Sequence, residues 1–342
     1  MKIGNIEISY EKPPLIIAEI GINHGGSLCV AKQMVYSIFT AGCQIVKHQT
    51  HFIDDEMTPE AKSIFPPNAE ISIWDVIQRC ALSPEDEIEL KEYTESLGMI
   101  YMSTPFSRKA ADFLAEIGIL AFKIGSGEAD NLPLIKHIAG IGKPIILSTG
   151  MQTIKSIGNS VKILQESGVD FALLECTNLY PSPPEIVSLK GIIELKEAFP
   201  DTLVGFSDHS IGPGIALGAV ALGACIIERH FTDSRYRVGP DISCSMDPAE
   251  LRFLLDRSKE IFIARNNSKM RTPPEDGVYK FARASVVADR TLTAGTIITE
   301  KDIWVRRPGS GPIPAQDYDK LLGKTLKKPK KLNDYIDWSD IN

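Results

Sequence analysis

Eight short apolar runs punctuate the chain, at 15–20, 45–49, 100–104, 121–126, 144–148, 171–178, 203–209 and 225–230, and nearly every one ends on a polar or charged residue. A helix-like stretch follows each, at 27–41, 84–97, 108–116, 132–139, 154–166, 189–198, 214–222 and 248–264. Strands of a parallel sheet read as apolar along their length, because helices cover one face and neighbouring side chains fill the other. Eight such units in succession predict an α/β chain of the (β/α)8 TIM-barrel class, whose strand C-termini converge on one face. That convergence would gather polar residues from Glu19 to His230 into one candidate active site.

Local signals agree with this frame. Ser83-Pro84-Glu85-Asp86 is a helix start: a capping serine, proline at the first helical position, then acids in the first turn. Asp247-Pro248 repeats it. Residues 2–10 alternate weakly, as a hairpin plugging the barrel floor would. The stretch 51–82 exceeds an ordinary βα connection, and long connections at this face tend to carry function. Around 265–280 the pattern fails in a polar, proline-containing segment. The domains expected are a barrel over 1–265, a linker over 266–282, and a small domain over 283–342. The last has short strands at 284–288 and 303–305 with a turn at Ala294-Gly295.

Composition narrows the classes. With 342 residues, 43% of them hydrophobic, the chain can fill one barrel of about 250 residues and a small appendage. A net charge of −7 argues against nucleic-acid binding, and the basic run 324–331 reads as a solvated surface. No apolar run reaches the ~18 residues of a membrane span, and no secretory signal opens the chain. Six cysteines at 29, 43, 80, 176, 225 and 244 form no CxxC pair, which fits reduced thiols in a cytoplasmic protein.

Residues two apart on a strand share a face. Glu19 shares one with Ile17, Lys47 and Gln49 with Ile45, and Thr104 with Met102. Lys123, Ser148, Asn178, Ser207 with His209, and Glu228 with His230 extend the set, while His48 and Glu175 have the opposite parity. Buried lysines need acidic partners or an anion. Lys47 and Lys123, with Thr104, Ser126, Ser148, Asn178 and Ser207, could cradle a phosphate and a carboxylate. An internal network with Glu19 and Glu128 is the bland alternative. Gly125 and Gly127 would let backbone approach a ligand. His209 and His230 end neighbouring strands, about 4.8 Å apart, and could grip one divalent ion with positions left open. Glu19, Glu128 and Asp241 could orient ligands or move protons.

These residues lie in strings that resemble the bacterial sialic acid synthase family. They are Ile-Ala-Glu-Ile-Gly-Ile-Asn-His-Gly-Gly (17–26), Lys-His-Gln-Thr-His (47–51), Ser-Thr-Pro-Phe-Ser (103–107) and Lys-Ile-Gly-Ser-Gly-Glu (123–128). Ser-Thr-Gly-Met (148–151), Thr-Asn-Leu-Tyr-Pro (177–181), Gly-Phe-Ser-Asp-His (205–209) and Glu-Arg-His-Phe-Thr (228–232) follow in order. The segment from about Arg283 resembles the family's small antifreeze-like (SAF, β-clip) domain. The resemblance implies condensation of phosphoenolpyruvate with an N-acylated mannose-type sugar and release of phosphate. It implies phosphoenolpyruvate at Lys47, Thr104, Lys123, Ser126, Ser148, Asn178 and Ser207, and a metal, usually Mn2+ with Mg2+ or Co2+ possible, at His209 and His230. It implies the sugar at Gln49, Asn68, Tyr180, Asp241 and Arg307, with Glu19 and Glu128 flanking the reacting carbons. Arg307 would come from the partner subunit of a domain-swapped homodimer. N-acetylmannosamine is the acceptor favoured over the diacetamido-trideoxy sugars of legionaminic and pseudaminic acids. A Schiff-base aldolase using Lys123 and a non-catalytic carbohydrate-binding protein are the rivals.

Overall fold

The computed structural model describes residues 1–66 and 69–342. Two strands, β1 (Lys2–Ile3) and β2 (Ile6–Glu7), form an antiparallel hairpin. Then β3 (Leu15–Gly21), β4 (Ile45–Thr50), β5 (Ile100–Pro105), β6 (Phe122–Ile124), β7 (Ile145–Ser148), β8 (Phe171–Cys176), β9 (Leu203–Asp208) and β10 (Ile226–His230) close a parallel barrel. The ring runs β10-β3-β4-β5-β6-β7-β8-β9, so each strand pairs with its neighbours in sequence. The helices are α1 (Leu28–Ala41), the short α2 (Ile53–Glu56) and α3 (Ile73–Cys80), then α4 (Pro84–Ser96), α5 (Arg108–Glu116), α6 (Leu132–Gly140), α7 (Ile154–Ser167), α8 (Leu189–Ala198), α9 (Gly214–Ala221) and α10 (Pro248–Arg265). Among the described residues no helix is long and apolar enough to cross a membrane.

The caps are those the sequence announces. The Ser83 side chain accepts from Asp86 N–H ahead of α4, and Asp247 accepts from Glu250 N–H in a reciprocal capping box ahead of α10. The stretch 51–82, read as one long connection, contains α2, a 3-10 turn (Pro59–Ser63) and α3. Helix α3 is capped by Ser72, and its Val76 and Ile77 pack with Ile22 in a small core.

Strand parity sorts the barrel into two cores. Ile17, Ile45, Met102, Ala121, Ile146, Ala172, Leu174 and Ile226 point inward and pack with Ile3 and Ile8 of the hairpin segment, which close the floor. Ile16, Ala18, Val46, Tyr101, Phe122, Leu147, Leu173, Val204 and Ile227 point outward against the helices. Gly205 has no room for a side chain: a Cβ there would lie 2.5 Å from the Ile226 carbonyl oxygen.

The contacts divide the chain into Met1–Asn267 and Ser268–Asn342. The stretch expected as a linker therefore groups largely with the second unit, where it forms a 3-10 turn (Pro273–Glu275) and helix α11 (Asp276–Ala282). Strands β11 (Ser285–Ala288) and β12 (Ile303–Arg306) pair antiparallel over a core that includes Val286, Leu292, Ile298, Ile313, Leu326 and Ile336. In the run 324–331, Lys324, Lys327, Lys328 and Lys331 are exposed, as expected of a solvated surface. Leu326 is buried, and Lys330 sets its ammonium 2.5 Å from Asp340.

One outward residue makes stability depend on pH. Glu175 of β8 sits under α8, where a Cβ on Gly191 would meet its carboxyl carbon at 2.6 Å. Burial, with Glu194 nearby, pushes its carboxyl up to about 7. A raised carboxylate contributes fully only below its ordinary value of 4.5, and that contribution is lost as pH climbs from there through about 7. Glu175→Gln should therefore stabilise the protein at pH 8 by on the order of 2 kcal/mol and change little at pH 4. Thermal midpoints at the two pH values measure this, and equal shifts at both would refute it.

Candidate active site

The inward face of the barrel changes from apolar to polar between one inward position and the next, two residues on. Above Ile17 comes Glu19, above Ile45 comes Lys47, above Met102 comes Thr104, and above Ile226 comes Glu228. The result is a cavity of about 250 Å³ at the C-terminal end of the strands. Glu19, Lys47, Gln49, Thr104, Lys123, Ser126, Ser148, Asn178, Tyr180, Ser207, His209 and His230 all line it. Twelve of the residues expected from the sequence thus meet in one place.

Its floor is a cluster of four charges. The Lys47 ammonium lies 2.7 Å from Glu19 Oε2 and 3.0 Å from Thr104 Oγ1. Lys123 donates to Ser148 Oγ at 2.7 Å and to the Ile124 carbonyl oxygen at 2.9 Å. Glu228 bridges the lysines, with its Oε1 3.8 Å from each ammonium, and also accepts from Ser207 Oγ at 3.3 Å. Lys47 is 4% exposed and Lys123 2%, so solvent screens this cluster weakly. Parity alone put Glu228 on this face, but nothing in the sequence marked it as the lysines' common counter-ion.

Burial and charge compete at each group. Burial pushes Glu19 up, and Lys47 only partly offsets it, leaving the carboxyl at about 7. Burial also pushes Glu228 up, but Lys123 and Lys47 outweigh it and hold that carboxyl below its ordinary value. Burial draws Lys47 down, yet Glu19 and Glu228 lift it above the ordinary lysine value. In Lys123 burial wins, and its pKa falls despite Glu228. Near neutral pH, then, Glu228 is ionised, Lys47 is charged, and Glu19 is the group poised to gain or lose a proton.

The two histidines stand at the ends of β9 and β10 beside this cluster, their ring centroids 5.4 Å apart, with the Tyr180 ring 4.1 Å from His209. His209 Nδ1 lies 2.8 Å from the Thr177 carbonyl oxygen, so that nitrogen carries the hydrogen and Nε2 keeps its lone pair. His230 Nδ1 is buried without a hydrogen-bond partner, 3.7 Å from Asp241 Oδ2. Burial lowers both imidazole pKa values, assisted at His230 by His209 and Lys47, which keeps both rings neutral. Burial pushes Asp241 up to about 6. Neutral, oriented imidazoles with a free nitrogen fit a divalent cation. Among the described residues no group of three or more His, Cys, Asp or Glu side chains gathers as a ligand set. An ion here would rest on the two imidazoles and keep its other positions open.

Strand neighbours of these residues point the other way and lock the wall. Asp208, between Ser207 and His209, meets Arg229, between Glu228 and His230, at 3.3 Å. Arg229 also donates to the Ser210 carbonyl oxygen at 2.7 Å and to that of Gly212. Each is 1% exposed, so the two strand ends bearing the histidines are tied together behind the cavity.

Two expected residues do not line the cavity, and two more are not decided by it. Glu128 does not line the cavity. The backbone turns at Ser126–Glu128, its carboxylate accepts from Asn131 Nδ2 at 2.5 Å, and it lines a neighbouring depression with Asp55 and His137. Asp241 stands behind His230 and is not among the lining residues. Arg307 lies in the second unit, exposed, directly after β12. Asn68 falls outside the described residues. Phe106 and Cys176 line the cavity without having been singled out. Phe106, stacked on His51 at 4.5 Å, lies beyond the end of β5, where periodicity carries no signal. The Cys176 thiol is pushed up to about 12 by burial and donates to Asn178 Oδ1 at 3.1 Å, which makes it a packing group.

Comparison with known proteins agrees with this geometry. The NeuB family matches residues 34–270, and the SAF domain matches 283–342. The chain is 36% identical to an N,N'-diacetyllegionaminic acid synthase of Campylobacter jejuni, over 95% of this chain and 99% of that protein. It is 32% identical to the N-acetylneuraminate-9-phosphate synthase of Homo sapiens, over 93% of this chain and 90% of that one. Among solved structures, the N-acetylneuraminic acid synthetase of Leptospira borgpetersenii superposes with a TM-score of 0.73 at 30% identity, covering 81% of this chain and 94% of the other. With the barrel, the polar mouth and these matches together, the chain belongs to the NeuB family and ends in a SAF domain.

Proposed function

We propose that the protein condenses phosphoenolpyruvate with an N-acylated mannose-type sugar and water, releasing phosphate by C–O cleavage. The observation that carries this is the pair of buried lysines, bridged by one carboxylate and ringed by hydroxyls, sharing a single small cavity with two neutral imidazoles. N-acetylmannosamine is the acceptor the sequence strings favour, making the protein an N-acetylneuraminate synthase. The 36% identity to a legionaminic acid synthase favours a second acceptor, 2,4-diacetamido-2,4,6-trideoxymannose.

The anionic substrate binds on Lys47 and Lys123, with Thr104, Ser126, Ser148, Asn178 and Ser207 supplying short donors around its phosphate and carboxylate. A trianionic guest compensates the two ammonium groups better than Glu228 alone. Gln49 and Tyr180 meet the sugar, while Asp241 stands behind His230. His209 and His230 would hold a divalent cation, Mn2+ foremost, whose chemistry when bound is to polarise the sugar's aldehyde oxygen. The methylene carbon of phosphoenolpyruvate forms the new bond to the aldehyde carbon as the C=O electron pair moves onto the aldehyde oxygen. That oxygen takes up a proton to become a hydroxyl, and positive charge develops at C2 of the phosphoenolpyruvate. Water adds there, and Glu19, near its titration point, takes the water's proton. Collapse of the resulting tetrahedral centre breaks the C2–O bond and expels phosphate, whose charge the lysines stabilise in a water-poor site.

Large apolar side chains are exposed in the connections at this mouth, among them Phe65, Met151, Ile211 and Val238. They support a dimer in which the tail of each subunit covers the partner's site and brings Arg307 to the sugar.

The primary test is phosphate release and 2-keto-acid formation from phosphoenolpyruvate with each of the two acceptors, with and without Mn2+. Release that requires sugar and metal, with no adduct trapped by borohydride, is expected; sugar-independent release or a trapped Lys123 adduct would sink the reading. Glu19→Gln should keep the fold and lower kcat at least 100-fold; a kcat within threefold of wild type would remove Glu19 from the mechanism. Mixing inactive Arg307→Ala and Lys47→Ala subunits should restore activity in exchanged dimers, and no recovery after proven exchange would count against shared sites.

A further inference from the structure

Behind Lys47 and Gln49, on the helix side of the barrel wall, lies a polar chain that the proposed mechanism does not use. Gly26 N–H donates to His24 Nδ1 at 3.2 Å, and His24 Nε2 lies 3.1 Å from His48 Nε2. His48 Nδ1 lies 3.1 Å from Tyr101 Oη, which donates to Glu87 Oε1 at 2.9 Å. Thr50 also donates to Glu87, at 2.5 Å, and lies 2.6 Å from Ser103 Oγ. His24, His48, Tyr101 and Glu87 are each at most 3% exposed. The chain joins the loop after β3, strands β4 and β5, and helix α4.

The donors that the geometry fixes order the hydrogens along it. The Gly26 amide makes His24 Nδ1 an acceptor, so a neutral His24 carries its hydrogen on Nε2. That hydrogen makes His48 Nε2 an acceptor and leaves His48 protonated on Nδ1. Tyr101 spends its hydroxyl hydrogen on Glu87, so it accepts from His48, and Thr50 does the same, so it accepts from Ser103. A polar network satisfied end to end in a low-dielectric setting holds one geometry and resists others.

His48 stands between Lys47 and Gln49 on one strand, and its rotation is tied to theirs through the shared backbone. On the other side of the same loop, Asn23 donates to the Phe231 carbonyl oxygen at 2.9 Å and to Ser245 Oγ at 2.8 Å. The loop thus braces β4 against the segment that follows His230. We propose that the chain from His24 through His48 and Tyr101 to Glu87 is a proton-ordered brace, and that His48, Tyr101 and Glu87 are positioning residues for Lys47 and Gln49. The inference deepens the function proposed above and rests on it for the role of Lys47.

Two measurements test it. In the wild-type protein, 15N spectra of labelled histidine should show His24 as the Nε2–H tautomer and His48 as the Nδ1–H tautomer; the reverse pair, or rapid averaging at His48, would overturn the brace. Tyr101→Phe keeps the ring and removes one hydroxyl. It should weaken calorimetric phosphoenolpyruvate binding about tenfold, and the same change should have no further effect in a Lys47→Met background. Unchanged affinity, or an equal loss in both backgrounds, would refute the positioning role. Glu87→Gln is the second variant should Tyr101→Phe not fold. Failure of the wild-type protein to bind phosphoenolpyruvate would instead strike the proposed function, with the tautomers still deciding the brace.

Discussion

The structure turns on four charges buried at the base of one cavity. Two ammonium groups removed from water are tolerable only if carboxylates or a guest anion stand beside them. Glu228 supplies one permanent counter-charge and bridges both lysines at 3.8 Å. Glu19 supplies a conditional one, because burial has moved its carboxyl to about 7. With Glu19 protonated the cluster is electropositive and favours an anion; with Glu19 ionised it is balanced and offers a base. Capture and proton transfer are both available from the same four side chains, and the difference between them is one proton.

That cluster depends on how strictly the strands alternate. Below it the inward positions are isoleucine, methionine, alanine and leucine, which exclude water and keep the dielectric low. On the outward parity, where plain apolar packing would suffice, polar residues recur at the levels that carry the site. His48, Ser103, Asp208 and Arg229 are all buried behind the wall, each flanked on its strand by at least one cavity-lining residue. Desolvating these groups costs stability unless they are fully bonded. They are held by chains of hydrogen bonds or by an ion pair, and the return is a rigid frame for side chains that must meet within an ångström.

Much of this was legible in the sequence, for identifiable reasons. Period-two parity put Lys47, Lys123, Ser148 and His230 on one face because the barrel is regular there. Serine, proline and aspartate marked the starts of α4 and α10 because unpaired amides at a helix end demand them. Legibility stopped where periodicity stops. Glu128 shares a string with Lys123 and Ser126, but a 3-10 turn carries it into the neighbouring depression. Helix α2 has four residues, too few to show a repeat, and the segment after Asn267 folds where its polarity suggested a linker. Glu228 had the right parity, yet its bridging role is a matter of distances, which parity does not supply.

The hairpin segment that seats Ile3 and Ile8 under the barrel has a consequence for traffic. With the bottom shut by aliphatic side chains, the well is blind, and everything enters and leaves by one rim. On the function proposed above, substrates and released phosphate would therefore exchange through the same opening, past the side chains that ring it.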